Sequence, residues 1–277
     1  MTAETHLPSP VLNRPMSALD IADGAFAIMR ARPRTVAVIA AAFVLPVQLL
    51  SSFLNRGLFS ALNFTNFDSE TGTFEGQSEF GFAGPAGGFG GTGIDTFLQY
   101  LILPFLGVAL THLVLGWRQG IDRSAGECLL FTLRKTHIIV AAFIMAKLIQ
   151  VVTLLITTPL LMLLAPVIAA EGLGPIAAIK RSFQLGRRRF GQLIGVVLLI
   201  VLVNFLLQYA LLTLPIVGAF LLGEWGWIAF FALGSIGSTV LTLLGTGAAV
   251  LSYIDMRNRT EGMDLSERIL AARHSRG

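Results

Sequence analysis

The 277-residue chain contains a single cysteine, Cys128. One thiol excludes an intrachain disulfide and any cysteine-based metal site. Charge is scarce as well. Only 13% of residues are Asp, Glu, Lys or Arg, against about 25% in a typical soluble domain. Lysine is confined to Lys135, Lys147 and Lys180. The histidines, His6, His112, His137 and His274, have no histidine or carboxylate four residues away, so their spacing offers no zinc or catalytic constellation. Phosphate-loop and nucleophile-elbow motifs are missing, and the apolar segments hold no paired carboxylates. These absences point to a protein that is not an enzyme and uses no cofactor.

What is present is apolar sequence, 54% of the chain. Several continuous runs reach the roughly 20 residues that cross a bilayer core. A transmembrane barrel would show short alternating segments instead. The fold class expected is therefore an all-α polytopic membrane protein. A pI of 9.7 fits basic cytosolic loops better than a nucleic-acid partner. The first apolar run starts at Thr35, behind a polar lead and Arg30, Arg32 and Arg34. That order reads as a signal-anchor helix rather than a cleavable signal.

Residues 1–16, with Pro8, Pro10 and Pro15, read as a disordered cytosolic tail. Ser17 and Asp20 form a capping signature, which opens an interfacial helix before membrane helix 1 within 17–55. Residues 56–94 are rich in Gly and Phe and read as a low-complexity extracytoplasmic loop. Membrane helices 2–6 fill 95–254. Helix 2 runs from about Ile94 to Leu115 through Pro104. Ser124 and Glu127 give a second capping signature at an interfacial helix near 124–136. Residues 137–170 are long for one crossing and short for two. A hairpin turning near Thr157-Thr158-Pro159 keeps nearly every Arg and Lys on one side, as the positive-inside rule demands. Helix 5 is expected over Gly191–Leu214, with Pro215 at its outer turn, and helix 6 over Trp225–Ile254. Residues 255–277 form a cytosolic tail. The sum is about six crossings with both termini in the cytosol.

The stretch from Ala165 to Leu202 organises this reading. On a helix over 174–189, Ile176, Ile179, Phe183 and Phe190 share one face. Lys180, Arg181, Arg187, Arg188 and Arg189 supply a cationic surface for anionic phospholipids. Aligning Arg30, Arg134 and Arg187 shows three similar units, each an interfacial amphipathic helix leading into a hairpin. Leu19, Ala22 and Phe26 then match Ile176, Ile179 and Phe183. Inside the apolar segments Lys147 is the singular charge, with Gln150 on the same face, and Asn204 and Gln208 lie four apart on helix 5. These residues would contact lipid or line a cavity if the bundle has a polar interior, or serve as interhelical glue if it does not.

The residues Glu171-Gly172, Ser182-Phe183, Asp255, Arg257, Glu261-Gly262 and Asp264, with the opening RPMSALDIADGAFAIMRARP, resemble a family of bacterial membrane proteins. That family is labelled "glycerophosphoryl diester phosphodiesterase membrane domain". The resemblance implies a bacterial inner membrane location. It carries over no catalytic residues, because the His-Arg pair and Glu-x-Asp metal site of the phosphodiesterases are missing here. The function expected is to scaffold or regulate a membrane-protein partner. The alternative is a conduit or binder for a lipid or small amphiphile.

Overall fold

A computed structural model describes residues 16–54, 67–68, 73–74, 93–153, 156–222 and 226–261, with side chains described outside 51–99 and 208–235. The expected N-terminal tail, most of the Gly/Phe-rich loop, and the tail from Gly262, including Asp264, lie outside the described residues. The described chain is almost entirely helical. Its elements are α1 (Ala18–Ala31), α2 (Pro33–Leu54), β1 (Phe67–Asp68), β2 (Thr73–Phe74), α3 (Gly93–Arg118), α4 (Ala125–Arg134), α5 (Thr136–Val152), α6 (Thr158–Leu161), α7 (Leu164–Glu171), α8 (Pro175–Arg187), α9 (Phe190–Leu222) and α10 (Gly226–Glu261). Four helices are long and apolar enough to cross a membrane, or up to six if each of two bent pairs makes one span.

Both capping signatures form reciprocal boxes. Ser17 Oγ accepts from the Asp20 amide while Asp20 accepts from the Ser17 amide. Ser124 and Glu127 repeat the arrangement at α4. Such boxes satisfy amide groups that a helix start leaves without partners. Helix α8 begins differently, with Pro175 at its first position, where a missing N–H costs nothing.

Several expected boundaries move. Met16, placed in the tail by sequence, is only 1% exposed and belongs to the fold. Helix α9 does not turn at Pro215 but runs 33 residues to Leu222. Apolar residues flank that proline on both sides, and membrane helices tolerate proline where neighbouring groups take up the freed carbonyl. Helix α10 continues past Ile254 to Glu261. Within 56–94, Phe67 pairs with Phe74 and Asp68 with Thr73 in a two-residue antiparallel ladder. Phe and Thr favour extended backbone, a local preference that the loop's bulk composition hides.

The chain divides into two compact units, one of residues 1–39, 103–201 and 243–277, the other of 40–102 and 202–242. In the first, α8 packs on α5, α6 and α7. Helix α4 meets α5 at a bend of 65°, and the α6–α7 segment meets α8 at 119°. Close approaches rest on small residues. A Cβ on Gly107 would come within 2.8 Å of Ala165 Cβ, and one on Gly186 within 2.5 Å of Leu160 Cδ2. In the second unit, Gln48 Nε2 donates to Ser238 Oγ at 3.0 Å, an interhelical bond of the kind that holds membrane bundles together.

The faces that the short helices bury within the protein are not their hydrophobic stripes. Helix α1 buries Ile21, Ala25 and Ile28, while Leu19 is 71% exposed. Helix α8 buries Ala178, Ile179, Ser182, Leu185 and Gly186, while Ile176 is exposed. Both faces turn about a quarter-turn from the hydrophobic stripe. Small side chains cause the shift, since Ala25, Ala178 and Gly186 admit neighbours that a bulkier residue would hold off. With Arg30 aligned to Arg187, the buried positions of α1 fall on Ala178, Ser182 and Leu185 of α8. Aligned on Arg134, the α4 residue matching Ile28 is Thr132, also buried.

A candidate site at the charged helix ends

Helix α7 ends at Glu171, and Gly172 caps it with φ of +64°. A residue with a Cβ pays for that left-handed backbone and glycine does not. Lys135 Nζ donates to the Ile168 carbonyl at 3.1 Å, placing a cation at the negative end of α7. The chain then reverses into α8, which brings Arg181 back to Glu171. Arg181 Nε donates to Glu171 Oε1 at 3.1 Å and Oε2 at 2.9 Å. Its Nη2 donates to Glu261 at the end of α10.

The bonds continue and close on themselves. Arg257 Nε donates to Glu261 Oε2 at 2.9 Å, and Arg257 Nη1 to Tyr253 Oη at 3.0 Å. Tyr253 Oη donates to Glu171 Oε1 at 3.1 Å. Glu171, Arg181, Glu261, Arg257 and Tyr253 thus form a ring spanning α7, α8 and α10. Glu171 takes Arg181 Nε on both oxygens, and Glu261 takes one nitrogen from each of two arginines, so every carboxylate in the ring has charge-assisted bonds. Ser182, beside Arg181, donates its hydroxyl to the Leu160 carbonyl and pins α8 to α6.

The opposite face of α10 carries a second cluster. Asp255 is 0% exposed. It accepts from the Met16 amide at 2.7 Å, from Gln192 Nε2 at 2.8 Å and from Arg259 Nε at 2.9 Å. Arg259 Nη2 also donates to the Met16 carbonyl at 2.8 Å. A carboxylate out of water requires such a set of donors and a counter-charge. Met16 is held here, and Gly24 and Gly247 let α1 and α10 close further along. A Cβ on Gly24 would stand 2.7 Å from Leu251 Cδ1, and one on Gly247 3.3 Å from Ala25 Cβ.

Two recesses flank the ring. A cleft of about 820 Å³ lies along α8 and the end of α10, lined by Lys180, Arg181, Gln184, Arg187, Arg188 and Glu261 among others. A smaller one of about 330 Å³ is lined by His112, Arg123, Phe131, Lys135, Glu171 and Gly172 among others. There the His112 ring stacks on Phe131 at 3.8 Å. Arg123 Nη1 lies 2.8 Å from His112 Nδ1. Arginine only donates, so Nδ1 accepts and the ring proton sits on Nε2.

The sequence-derived residues separate into groups. Lys180, Arg187, Arg188 and Arg189 are exposed on α8 and its end, as a lipid-facing surface requires. Arg181 stands apart from them, held in the ring by two carboxylates. Lys147 is half-buried on α5 with Nζ 5.5 Å from the Phe143 ring centroid. Gln150 is 9% exposed, and its Oε1 has no hydrogen-bond partner among the described residues. Lys147 and Gln150 belong to the first unit and Asn204 and Gln208 to the second. Asn204 is half-buried, and the Gln208 side chain lies outside the described ones. Among the described residues no three His, Cys, Asp or Glu side chains group to hold a metal.

Sequence reasoning passed over Tyr253, Gln192 and Arg259. A signal for two of them was there. Tyr253, Arg257 and Glu261 are spaced by four, as are Asp255 and Arg259, and this is the spacing of facing side chains on a helix. Gln192 offered none, because its partners are far away in sequence. Of the residues that carry the family resemblance, Glu171, Arg257 and Glu261 lie in the ring and Asp255 in the second cluster, while Ser182 is beside Arg181 and most of the N-terminal stretch forms α1. No protein-family model, no curated protein and no solved structure matches the chain.

Proposed function

We propose that the protein is an integral membrane scaffold or regulator that holds a partner membrane protein and performs no catalysis. In this reading about six apolar segments form three hairpins in a bacterial inner membrane, with both termini in the cytosol. Helices α1, α4 and α8 lead the hairpins and lie in the interface. The exposed cations of α8 and its end meet anionic headgroups. The matching buried positions of α1 and α8, and the bend before α5, support the threefold plan. A kinship with the "glycerophosphoryl diester phosphodiesterase membrane domain" proteins is part of this reading, and it is supported by the gathering of Glu171, Asp255, Arg257 and Glu261 at the ends of α7 and α10.

The observation that carries the scaffold reading is the closure of charged side chains on one another. Glu171, Arg181, Glu261, Arg257 and Tyr253 use their hydrogen-bonding capacity to fix helices rather than to meet a substrate. A rigid platform of this kind suits a surface on which another protein docks. The test is mass spectrometry of the full chain in native nanodiscs, with Lys147→Met alongside. The expected result is one protein partner at a fixed ratio in both samples and an unchanged lipid set. Absence of any fixed-ratio partner from the unaltered chain overturns the reading.

A second reading is favoured by one observation. The Gln150 acceptor is buried without a partner three residues from Lys147, and polar groups within an apolar segment often face a cavity or pathway. Release of one specific lipid by Lys147→Met, with the partner retained or absent, would move the function to a conduit or binder of amphiphiles.

A further inference from the structure

The cleft along α8 has the composition of a binding site, not only of a basic surface. Four cations, Lys180, Arg181, Arg187 and Arg188, face one carboxylate, Glu261. Arg181 is already matched by Glu171 and Glu261. Lys180, Arg187 and Arg188 have no hydrogen bond or ion pair among the described residues, so three positive charges in one recess go uncompensated. Lys180, Gln184 and Arg187 recur at spacings of four and three, which sets them on one face of α8. Lys180, Arg187 and Arg188 are all exposed and all line the cleft. Phe183 and Leu185 add apolar wall beside the charges.

We propose that this cleft is a discrete binding site for a single phosphate group carried on an ester, with Lys180, Arg187 and Arg188 as its ligands. The guanidinium fork matches phosphate oxygens two at a time, and lysine serves as a point charge beside it. A volume of about 820 Å³ falls in the range of small-ligand pockets and admits the group with its glycerol or similar body against Phe183. Arg189 lies outside the lining and serves as an internal control of equal charge. The ring sets the back wall, since Arg181 and Glu261 belong to both structures. The inference deepens the lipid contact proposed for α8 but stands separately from the scaffold reading. That reading is scored by a protein partner, and this one by a bound phosphate ester.

The same chemistry is presented by a phospholipid headgroup and by a soluble phosphate ester, and the experiment separates them. The purified full chain in neutral detergent is measured by native mass spectrometry with added phosphatidylglycerol, with phosphatidylcholine, or with glycerol 3-phosphate. The expected result is one phosphatidylglycerol per chain. Its retention should fall about tenfold in Arg187→Gln/Arg188→Gln and in Lys180→Gln, and stay unchanged in Arg189→Gln. If glycerol 3-phosphate binds one to one with the same pattern of variants and displaces the lipid, the site stands and its natural ligand is soluble. Equal losses in all variants including Arg189→Gln, graded binding of many lipids, or no binding of either phosphate compound overturns the proposal. All the altered side chains are exposed, and circular dichroism of each variant verifies that the helices are retained.

Discussion

At the scale of single residues, Asp255 and Glu171 do different work. Asp255 is wholly buried, and its removal leaves Arg259 facing the Met16 carbonyl without its counter-charge. Asp255→Ala should therefore lower stability by about 3 kcal/mol, read from chemical unfolding in detergent. Glu171 and Tyr253 share one hydrogen bond within a ring, so their contributions should not add. A double-mutant cycle of Glu171→Gln and Tyr253→Phe should give a coupling of about 1 kcal/mol. A coupling near zero would mean that the Tyr253–Glu171 bond contributes nothing and the ring is open at that point. The residues themselves were partly legible. The four-residue spacings on α10 stand in the sequence, but nothing in it tells that Arg181 turns from the surface toward Glu171. A helical wheel assigns a long side chain to a face, and arginine reaches across faces to find two carboxylates.

Among elements, α8 shows how a hydrophobic stripe and a buried face part company. The stripe through Ile176 and Phe183 was visible from composition. The buried face was only partly visible, because beside Ile179 and Leu185 it holds Ala178, Ser182 and Gly186, which hydrophobicity ranks low and close packing ranks high. Two substitutions measure the difference. Gly186→Ala places a methyl 2.5 Å from Leu160 and 2.9 Å from Leu193, and should destabilise by about 1–3 kcal/mol through overpacking. Gly195→Ala on α9 meets nothing within 4 Å and should stay within about 0.5 kcal/mol of the unaltered chain. Thermal unfolding of the two variants in one detergent decides the matter. Equal shifts would mean that the α6–α8 contact is looser than described. The same logic explains Pro215. A proline reads as a turn when hydrogen bonds must be found in water, but in an apolar helix the neighbouring turns maintain the direction.

For the whole molecule, the membrane class was legible, because a bilayer sets a length and the composition meets it, while the expected six crossings compare with four membrane-length helices and two bent pairs. The plan of the middle segment was harder to read. Helix α5 ends at Val152, close to the expected turn at Thr157, and the rest of 137–170 is the short α6 and α7 rather than one long helix. Topology is tested by labelling. In a Cys128→Ser background, Gly88→Cys should react with a membrane-impermeant maleimide in intact spheroplasts, and Arg188→Cys only after the membrane is opened. Reaction of Arg188→Cys from outside would reverse the placement of α8. One further consequence follows from the clasp between Met16 and Asp255, which joins groups 239 positions apart. A ribosome adding about 5–20 residues per second delivers Asp255 on the order of tens of seconds after Met16. For that interval Met16 lacks the carboxylate that holds it. The first helix to be made is thus among the last to be secured, and a chain cut short before Arg259 has an unlatched front end that a membrane protease can grasp. Only a chain that has reached Arg259 can close the clasp.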